Sequence, residues 1–550
     1  MRGLAYKWRV LISVIFGLFM VILDTTVVNV AFPTLRAEFN ASISDSQWII
    51  SVYVMALGIS TPLSAFLADR FGIKRTYVMG LAFFVIGSAI CGVSPSLGLL
   101  VAARALQGLG GGLALPLGTT LLFGAFTAAE QGLAFGVFGI ALVVAPAMGP
   151  ILGGWLVDSG DWRWIFFINI PIGALGFTLA SLWLRERKAE RAPRFDFPGF
   201  ITSTIGFGSV LYAASVASND GWTSQHVVAA FIIGGVSLAA FALIELFVAP
   251  EPLLNLRLFS IPVFTLATVV GWVSVLALFG AEFLLPLYLQ TLRGKTAFET
   301  GLILLPLAIA SGIVAPFSGR LYDLVGPRVI AVVGFGLLAV NTWQFSQLGP
   351  DTSITFILFL LALRGVALGL TVQTTLVTAL SRVPGREVSR ASSLSNATRQ
   401  VVQSIGVAVL ATVLVSTLST QVKTFETRFQ NVTTANATIS NPFVQQIASQ
   451  FKSNGLCGVK IPAIPGGAPG GAPAGAPPVG LPTQALIDQA CSESVAGYEQ
   501  AYKLTFYFAL LAMALGFFLP GWPAKWEGRV SPASRSANAG ERPAAPTIAH

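Results

Sequence analysis

Charge is what this sequence has least of. Asp, Glu, Lys and Arg make up 10% of 550 residues, where a soluble globular domain carries about 25%. Several water-soluble domains of this combined length would each need a charged shell that the chain cannot supply. Histidine is almost missing, with only His226 and His550, and the three cysteines are Cys91, Cys457 and Cys491. Little is left from which to build a His/Cys metal site, and no metal is expected. A phosphate-cradling ATP loop is missing as well: Gly294-Lys295-Thr296 copies its end, but Leu289 stands where its first glycine belongs. This argues against ATP hydrolysis as an energy source within the chain. The net charge of +9 is dispersed among loops, so nucleic acid is not an expected partner.

What is abundant is apolar. Hydrophobic residues reach 54%, with 40 phenylalanines and 56 glycines, and hydrophobic blocks recur from Trp8 to Trp522. Lipid must be the main solvent. A membrane helix needs ~20 mostly apolar residues. Fourteen such stretches start near residues 9, 47, 76, 98, 133, 163, 197, 226, 263, 300, 328, 353, 393 and 503. The expected fold is all-α and polytopic. No cleavable signal is expected, because the first stretch contains Asp24 and runs straight into further spans. With the N-terminus inside, the inner segments hold 21 Lys and Arg and the outer segments 9. The bias predicts cytoplasmic termini on a multi-pass protein of the cell membrane.

Residues 419–500 form a long extracytoplasmic loop in this reading, and 525–550 a cytoplasmic tail. The stretch from Ile461 to Thr483 is almost all Pro, Gly and Ala and has no core-forming pattern. Cys457 and Cys491 flank it on the oxidising side, as a disulfide or as two unpaired thiols. Cys91, inside an apolar helix, reads as packing. Asn431 and Asn436 begin glycosylation triplets of a kind that chance often produces.

An internal repeat sets the architecture. Thr61-Pro-Leu-Ser-Ala-Phe-Leu-Ala-Asp-Arg-Phe-Gly-Ile-Lys74 aligns without gaps to Ala315-Pro-Phe-Ser-Gly-Arg-Leu-Tyr-Asp-Leu-Val-Gly-Pro-Arg328, an offset of 254 residues. Arg104 and Arg364 echo each other at an offset of 260. Duplicated helical halves are a common transporter plan. They predict a six-helix half over 1–184, a link with two inserted helices over 185–262, and a second six-helix half over 263–524.

Ionised groups in hydrocarbon cost several kcal/mol, so those at mid-helix face a cavity or a partner. Asp24 lies deep in the first span, where it is a proton carrier or gate, or else holds a structural hydrogen bond. Glu282, in the outer half of the ninth span, is a second protonation site, a contact for a cationic substrate, or a group reaching outer water. Glu245, near a helix end, reads as snorkelling. Arg104 and Arg364 should pair with carboxylates or helix carbonyls across a central cavity. Asp69, Arg70, Lys74 and Arg75, with Asp323 and Arg328 in the second copy, form a cytoplasmic latch or simply end their helices at Gly72 and Gly326. Gly108-Leu-Gly-Gly-Gly112 is a close-contact face for neighbouring helices. Pro146, Gly149, Pro150, Gly153 and Gly154 give a closely packed helix that can bend.

Together these motifs resemble the major facilitator superfamily, in particular its fourteen-helix drug:proton antiporter branch (EmrB/QacA-like). Leu23 to Pro33 is similar to the first-helix signature of that branch. Leu67 to Arg75 resembles its inter-helix gating motif, and Arg104-Ala-Leu-Gln107-Gly108-Leu-Gly110 its fourth-helix motif, whose arginine is implicated in proton coupling. Ala145 to Gly154 resembles the fifth-helix antiporter motif of exporters. Asp161 to Gly173 and Pro252 to Phe259 are similar to this branch as well. Ala65, Ile73 and Ala145 depart from the usual residues. The resemblance implies two pseudo-symmetric six-helix halves plus two inserted helices, with Asp24, Arg104 and Glu282 in proton coupling. It implies export of hydrophobic or amphipathic small molecules, driven by a proton gradient and without a cofactor. The alternatives are a proton-coupled importer or a lipid or metabolite exporter of the same fold, a membrane-embedded enzyme, and a sensor. Protons, a hydrophobic substrate and the lipid bilayer are the expected partners, and a periplasmic adaptor is left open.

Overall fold

The computed structural model describes residues 4–127, 130–158, 160–188, 194–419, 422, 449–450, 453–460 and 483–521. The sequons and the Pro/Gly/Ala segment from 461 to 482 lie outside these residues, as does the tail from 522. Among the described residues every regular element is a helix. The long ones are α1 (Tyr6–Glu38), α2 (Ile43–Phe71), α3 (Ile73–Val93), α4 (Leu97–Ala125) and α5 (Gln131–Asp158). A short α6 (Trp164–Phe167) leads into α7 (Asn169–Trp183), followed by α8 (Phe197–Asp220) and α9 (Gln225–Leu243). Then come α10 (Pro262–Leu287), α11 (Ala297–Val325), α12 (Pro327–Phe345), α13 (Ile354–Thr371), α14 (Thr374–Ser381), α15 (Val388–Ser416) and α16 (Gln484–Gly516).

Twelve described helical stretches are long and apolar enough to cross a membrane, against fourteen expected. The other two are mixed cases. In α10, 26 residues long, the side chains of residues 279–283 lie outside the described residues, which leaves Pro262–Leu278 as its described apolar run. The last helix, α16, is 33 residues long but carries Asp488, Glu493, Glu499 and Lys503. It starts at residue 484 and not near 503, so the expected 419–500 loop is cut short at its far end. Hydropathy marks only the apolar half. The polar half is helical because Thr483 caps the Leu486 N–H at 3.2 Å and good helix formers follow.

Helices α1 to α7 pack as one bundle and α10 to α16 as another, with α8 and α9 paired beside α2 and α15. Between helices in lipid, close van der Waals packing replaces the hydrophobic drive. The glycine run of α4 shows how. A Cβ on Gly108 would sit 2.4 Å from the Tyr53 carbonyl of α2, and one on Gly110 would sit 2.5 Å from the Gly80 carbonyl of α3. Glycine thus seats α4 in the groove between α2 and α3. Across the bundles, α5 lies against α11 through Gly132, Gly136 and Gly154, with Gly301 and Gly319 facing them.

The repeated motif closes two equivalent helices. Gly72 and Gly326 end α2 and α11 at φ +103° and +82°, a region that glycine enters at little cost. The next helices begin at once, and a distant carbonyl takes a first amide of each: Ile73 N–H donates to Arg187 (3.0 Å) and Arg328 N–H to Pro520 (3.2 Å). Pro327 has no N–H, so in the second copy the following residue takes that place.

Candidate functional site

The densest buried polar cluster centres on Asp24. Its carboxylate is fully buried, as are Gln107 and Asn169, and Arg104 is 1% exposed. Arg104 Nη1 donates to Asp24 Oδ2 at 2.5 Å and to Gln107 Oε1 at 2.7 Å, and its Nε donates to the Ile49 carbonyl at 3.1 Å. Asp24 Oδ1 accepts from Gln107 Nε2 and Asn169 Nδ2, both at 2.8 Å. Asn169 Nδ2 also reaches Ser88 Oγ at 3.1 Å. The Arg104 guanidinium lies 4.1 Å above the Tyr53 ring, a cation–π contact.

The sequence explains this convergence. Arg104 and Gln107 are three apart on α4 and share a face. Asp24 occupies the facing stretch of α1, and Asn169 opens α7. The cluster closes inside the first bundle, which corrects the expectation of pairing across a central cavity. The cavity of about 460 Å³ beside Asp69 is not lined by Asp24 or Arg104. A guanidinium and two amides satisfy both carboxylate oxygens, so no water is needed to tolerate the charge.

The second arginine behaves differently. Arg364, fully buried on α13, donates through Nη2 to the Ala277 and Leu278 carbonyls of α10, at 3.2 and 2.8 Å. Its Nη1 reaches Thr342 Oγ1 at 3.3 Å. It ties three helices of its own bundle together. Glu282 lies on α10, but its side chain is outside the described residues. Glu245 does not snorkel. It is 2% exposed and accepts the Leu253 and Leu254 N–H groups at 3.2 and 3.4 Å. The chain leaves its helix just after it, and those freed amides need an acceptor more than the carboxylate needs water.

At the Asp69 end the bundles meet. Asp69 pairs with Arg390 of α15 at 3.3 Å, and Arg390 is 3.5 Å from Glu387. Ser64 and Ser393 hydroxyls lie 2.8 Å apart, and the Thr119 and Ser392 hydroxyls are bonded beside them. Asp323 also crosses the junction, but it accepts the Gly132 and Leu133 N–H groups at 3.1 and 3.3 Å. These are first-turn amides of α5, where a carboxylate meets the positive end of the helix dipole.

The bases expected in the latch do other work. The backbone N–H groups of Lys74 and Arg75 donate to Glu186 at 3.0 and 3.2 Å, with the exposed Arg75 side chain 3.8 Å from that carboxylate. Arg328 Nε donates to the Leu519 carbonyl at 2.7 Å, which fastens α12 to the end of α16 in the same bundle. The side chains of Arg70 and Lys74 have no ion pair among the described residues. Among the described residues, the ion pair that crosses between the bundles here is Asp69–Arg390, while the other bases face water or their own bundle.

Pro146 and Pro150 lie inside α5. A Cβ on Gly149 would come 2.1 Å from Thr26 Oγ1 of α1, and one on Gly154 would come 3.1 Å from the Phe298 N of α11. Gly153 faces Val27 and Val30. This segment thus wedges α5 between Asp24's helix and the second bundle. Cys457 and Cys491 form a disulfide. Sequence reasoning assigns no role to Gln107, Asn169 and Glu186, which are neutral or remote in sequence, nor to Arg390. The three-residue spacing of Gln107 from Arg104 was the one available signal.

The family model for the major facilitator superfamily matches residues 14–407. The MFS-type transporter YhcA of Bacillus subtilis is 36% identical over 403 residues, 73% of this chain and 76% of that protein. The multidrug resistance protein Stp of Mycobacterium tuberculosis is 34% identical over 412 residues, 74% and 76% of the two chains. The lincomycin resistance protein LmrB of B. subtilis is 30% identical over 407 residues, 74% and 85%. Among solved structures, a double-tryptophan mutant of XylE aligns with a TM-score of 0.56 at 14% identity, covering 94% of this chain and 97% of that one. The human organic anion transporter MFSD10 aligns at 0.53 and 14% identity, over 74% and 94%. The fold, the buried motif residues and these relatives converge: the chain belongs to the major facilitator superfamily, a family of membrane transporters.

Proposed function

We propose that this protein is a proton-coupled exporter of hydrophobic or amphipathic small molecules in the cell membrane. All fourteen apolar stretches cross the bilayer in this reading, α10 and α16 included, with both termini in the cytoplasm. Residues 1–184 and 263–524 are the moving halves, and 185–262 is an insertion beside them. Asp24 binds the driving proton. Its protonation removes the charge that holds Arg104, and the freed guanidinium lets α1 and α4 shift against each other. The Asp69–Arg390 contact then opens and closes one side of the membrane. Glu282 is a second proton site on α10.

The observation that carries this reading is the Asp24 cluster, a complete charge pair at mid-helix where a purely structural helix contact needs none. The names of Stp and LmrB favour drug-like substrates. With Arg104 and Arg364 balancing Asp24 and Glu282, a strict preference for cations is not expected. The test is expression in a pump-deficient bacterium challenged with a compound panel that includes lincomycin. Tolerance should rise with the native chain, and vanish with a protonophore or with Asp24→Asn at equal membrane abundance. Efflux that continues after the proton gradient is collapsed would overturn the proposal.

A further inference from the structure

We propose that the cavity at the Asp69 end binds the anionic head of an amphiphile, a phosphate or carboxylate that carries an apolar tail. The cavity has a volume of about 460 Å³ and opens between α1, α4, the link after α7 and the start of α15. Four cations line it: Arg185, Arg187 and Lys188 from the link, and Arg386 from beside α15. None of the four has a carboxylate within ion-pair distance among the described residues.

The neighbouring acids among the described residues are engaged elsewhere. Asp69, which also lines the cavity, is paired with Arg390. Glu186 takes the Lys74 and Arg75 amides. Glu130 bonds Lys7 at 2.5 Å, and the Lys7 and Thr127 hydrogen bonds hold its carboxyl below the ordinary range, so it stays ionised and occupied. All four cations are exposed, at the rim of the cavity, and positive charge gathered there without a protein counter-charge attracts an anion. The remaining walls set the rest of the ligand. Tyr6 and Thr120 bring hydroxyls, while Leu121, Phe123 and Val388 supply an apolar side. A small inorganic anion would leave that side wet, and a cation would meet four like charges.

This site goes beyond the transport reading and does not depend on it, since binding is measured without flux. Purified full-length protein in phosphatidylcholine nanodiscs is titrated by calorimetry with octyl phosphate, inorganic phosphate and octyltrimethylammonium, with empty nanodiscs as the blank. Octyl phosphate should saturate one site at least tenfold more tightly than inorganic phosphate, and octyltrimethylammonium should not compete. The variant Arg187→Gln/Arg386→Gln should weaken octyl phosphate at least tenfold, whereas Lys460→Gln, at the other end of the molecule, should not. Should the double variant fail to fold, Lys188→Gln alone should weaken binding severalfold. Unchanged affinity in the charge variants, or no saturable binding, would overturn the proposal. A second arm replaces half of the phosphatidylcholine by phosphatidylglycerol. Competition from that lipid assigns the site to a membrane headgroup, and indifference assigns it to a soluble amphiphile.

Discussion

Removing Arg104 or Asp24 alone should each harm this protein, and removing both should harm it less than the two losses added together. In Arg104→Met, the Asp24 carboxylate keeps the Gln107 and Asn169 amides at 2.8 Å but loses its only described counter-charge. Breaking a buried ion pair from one side costs about 3–5 kcal/mol. In Asp24→Asn, Arg104 keeps Gln107 Oε1 and the Ile49 carbonyl but is left a buried cation that cannot shed its charge, a cost of the same order, about 3–5 kcal/mol. In the double variant no charge is stranded, so a coupling of about 1.5–3 kcal/mol should appear. The assay is the half-life of monodisperse protein in detergent at one elevated temperature, since membrane-protein unfolding is read best as a rate. At about 1.4 kcal/mol per factor of ten, Arg104→Met and Asp24→Asn should each shorten the half-life a hundredfold or more. The double variant should fall short of the product of those two losses by at least tenfold. Losses that simply add would refute the idea that these two charges hold each other.

Three further outcomes follow from the packing. Asp69→Asn removes a partly buried ion pair worth about 1 kcal/mol, so labelling of a Ser393→Cys probe by a water-soluble maleimide should rise about fivefold; unchanged labelling would deny the latch. Gly112→Ala would drive a methyl to 2.2 Å from the Leu57 carbonyl and should cost about 1–3 kcal/mol, whereas Gly98→Ala, with nothing within 4 Å, should leave thermal stability unchanged. Cys457→Ser opens a disulfide that spans 34 residues, a loop-entropy loss of roughly 4 kcal/mol. Heating with and without reductant should show that loss in the native chain and no further effect of reductant in the variant.

Much of the architecture is legible because lipid is a strict solvent. Thirteen of the fourteen apolar stretches became helices that start within a few residues of where hydropathy places them, and Asp24 and Arg104 stood out because charge at that depth needs a partner. The sequence could not tell where the partner sits. Asn169 and Gln107 are neutral and cost little to expose, so nothing in their local pattern marks them. Glu245 was misjudged because its distance to water was weighed and the unpaired amides of the next loop were not. The start of α16 was misplaced for a related reason: hydropathy finds where a helix can meet lipid, while capping and propensity decide where it begins. Arg390 escaped notice because a base at a helix end is the commonest of surface features, and only the fold brings it to Asp69.

The most direct measurement is proton movement in proteoliposomes holding purified protein under an imposed pH gradient, with an internal pH dye and a substrate found in the cell screen. Adding substrate to the native protein should discharge the gradient, and Asp24→Asn should exchange labelled for unlabelled substrate while moving no protons. Substrate-dependent proton flux at the native rate in Asp24→Asn would contradict the account.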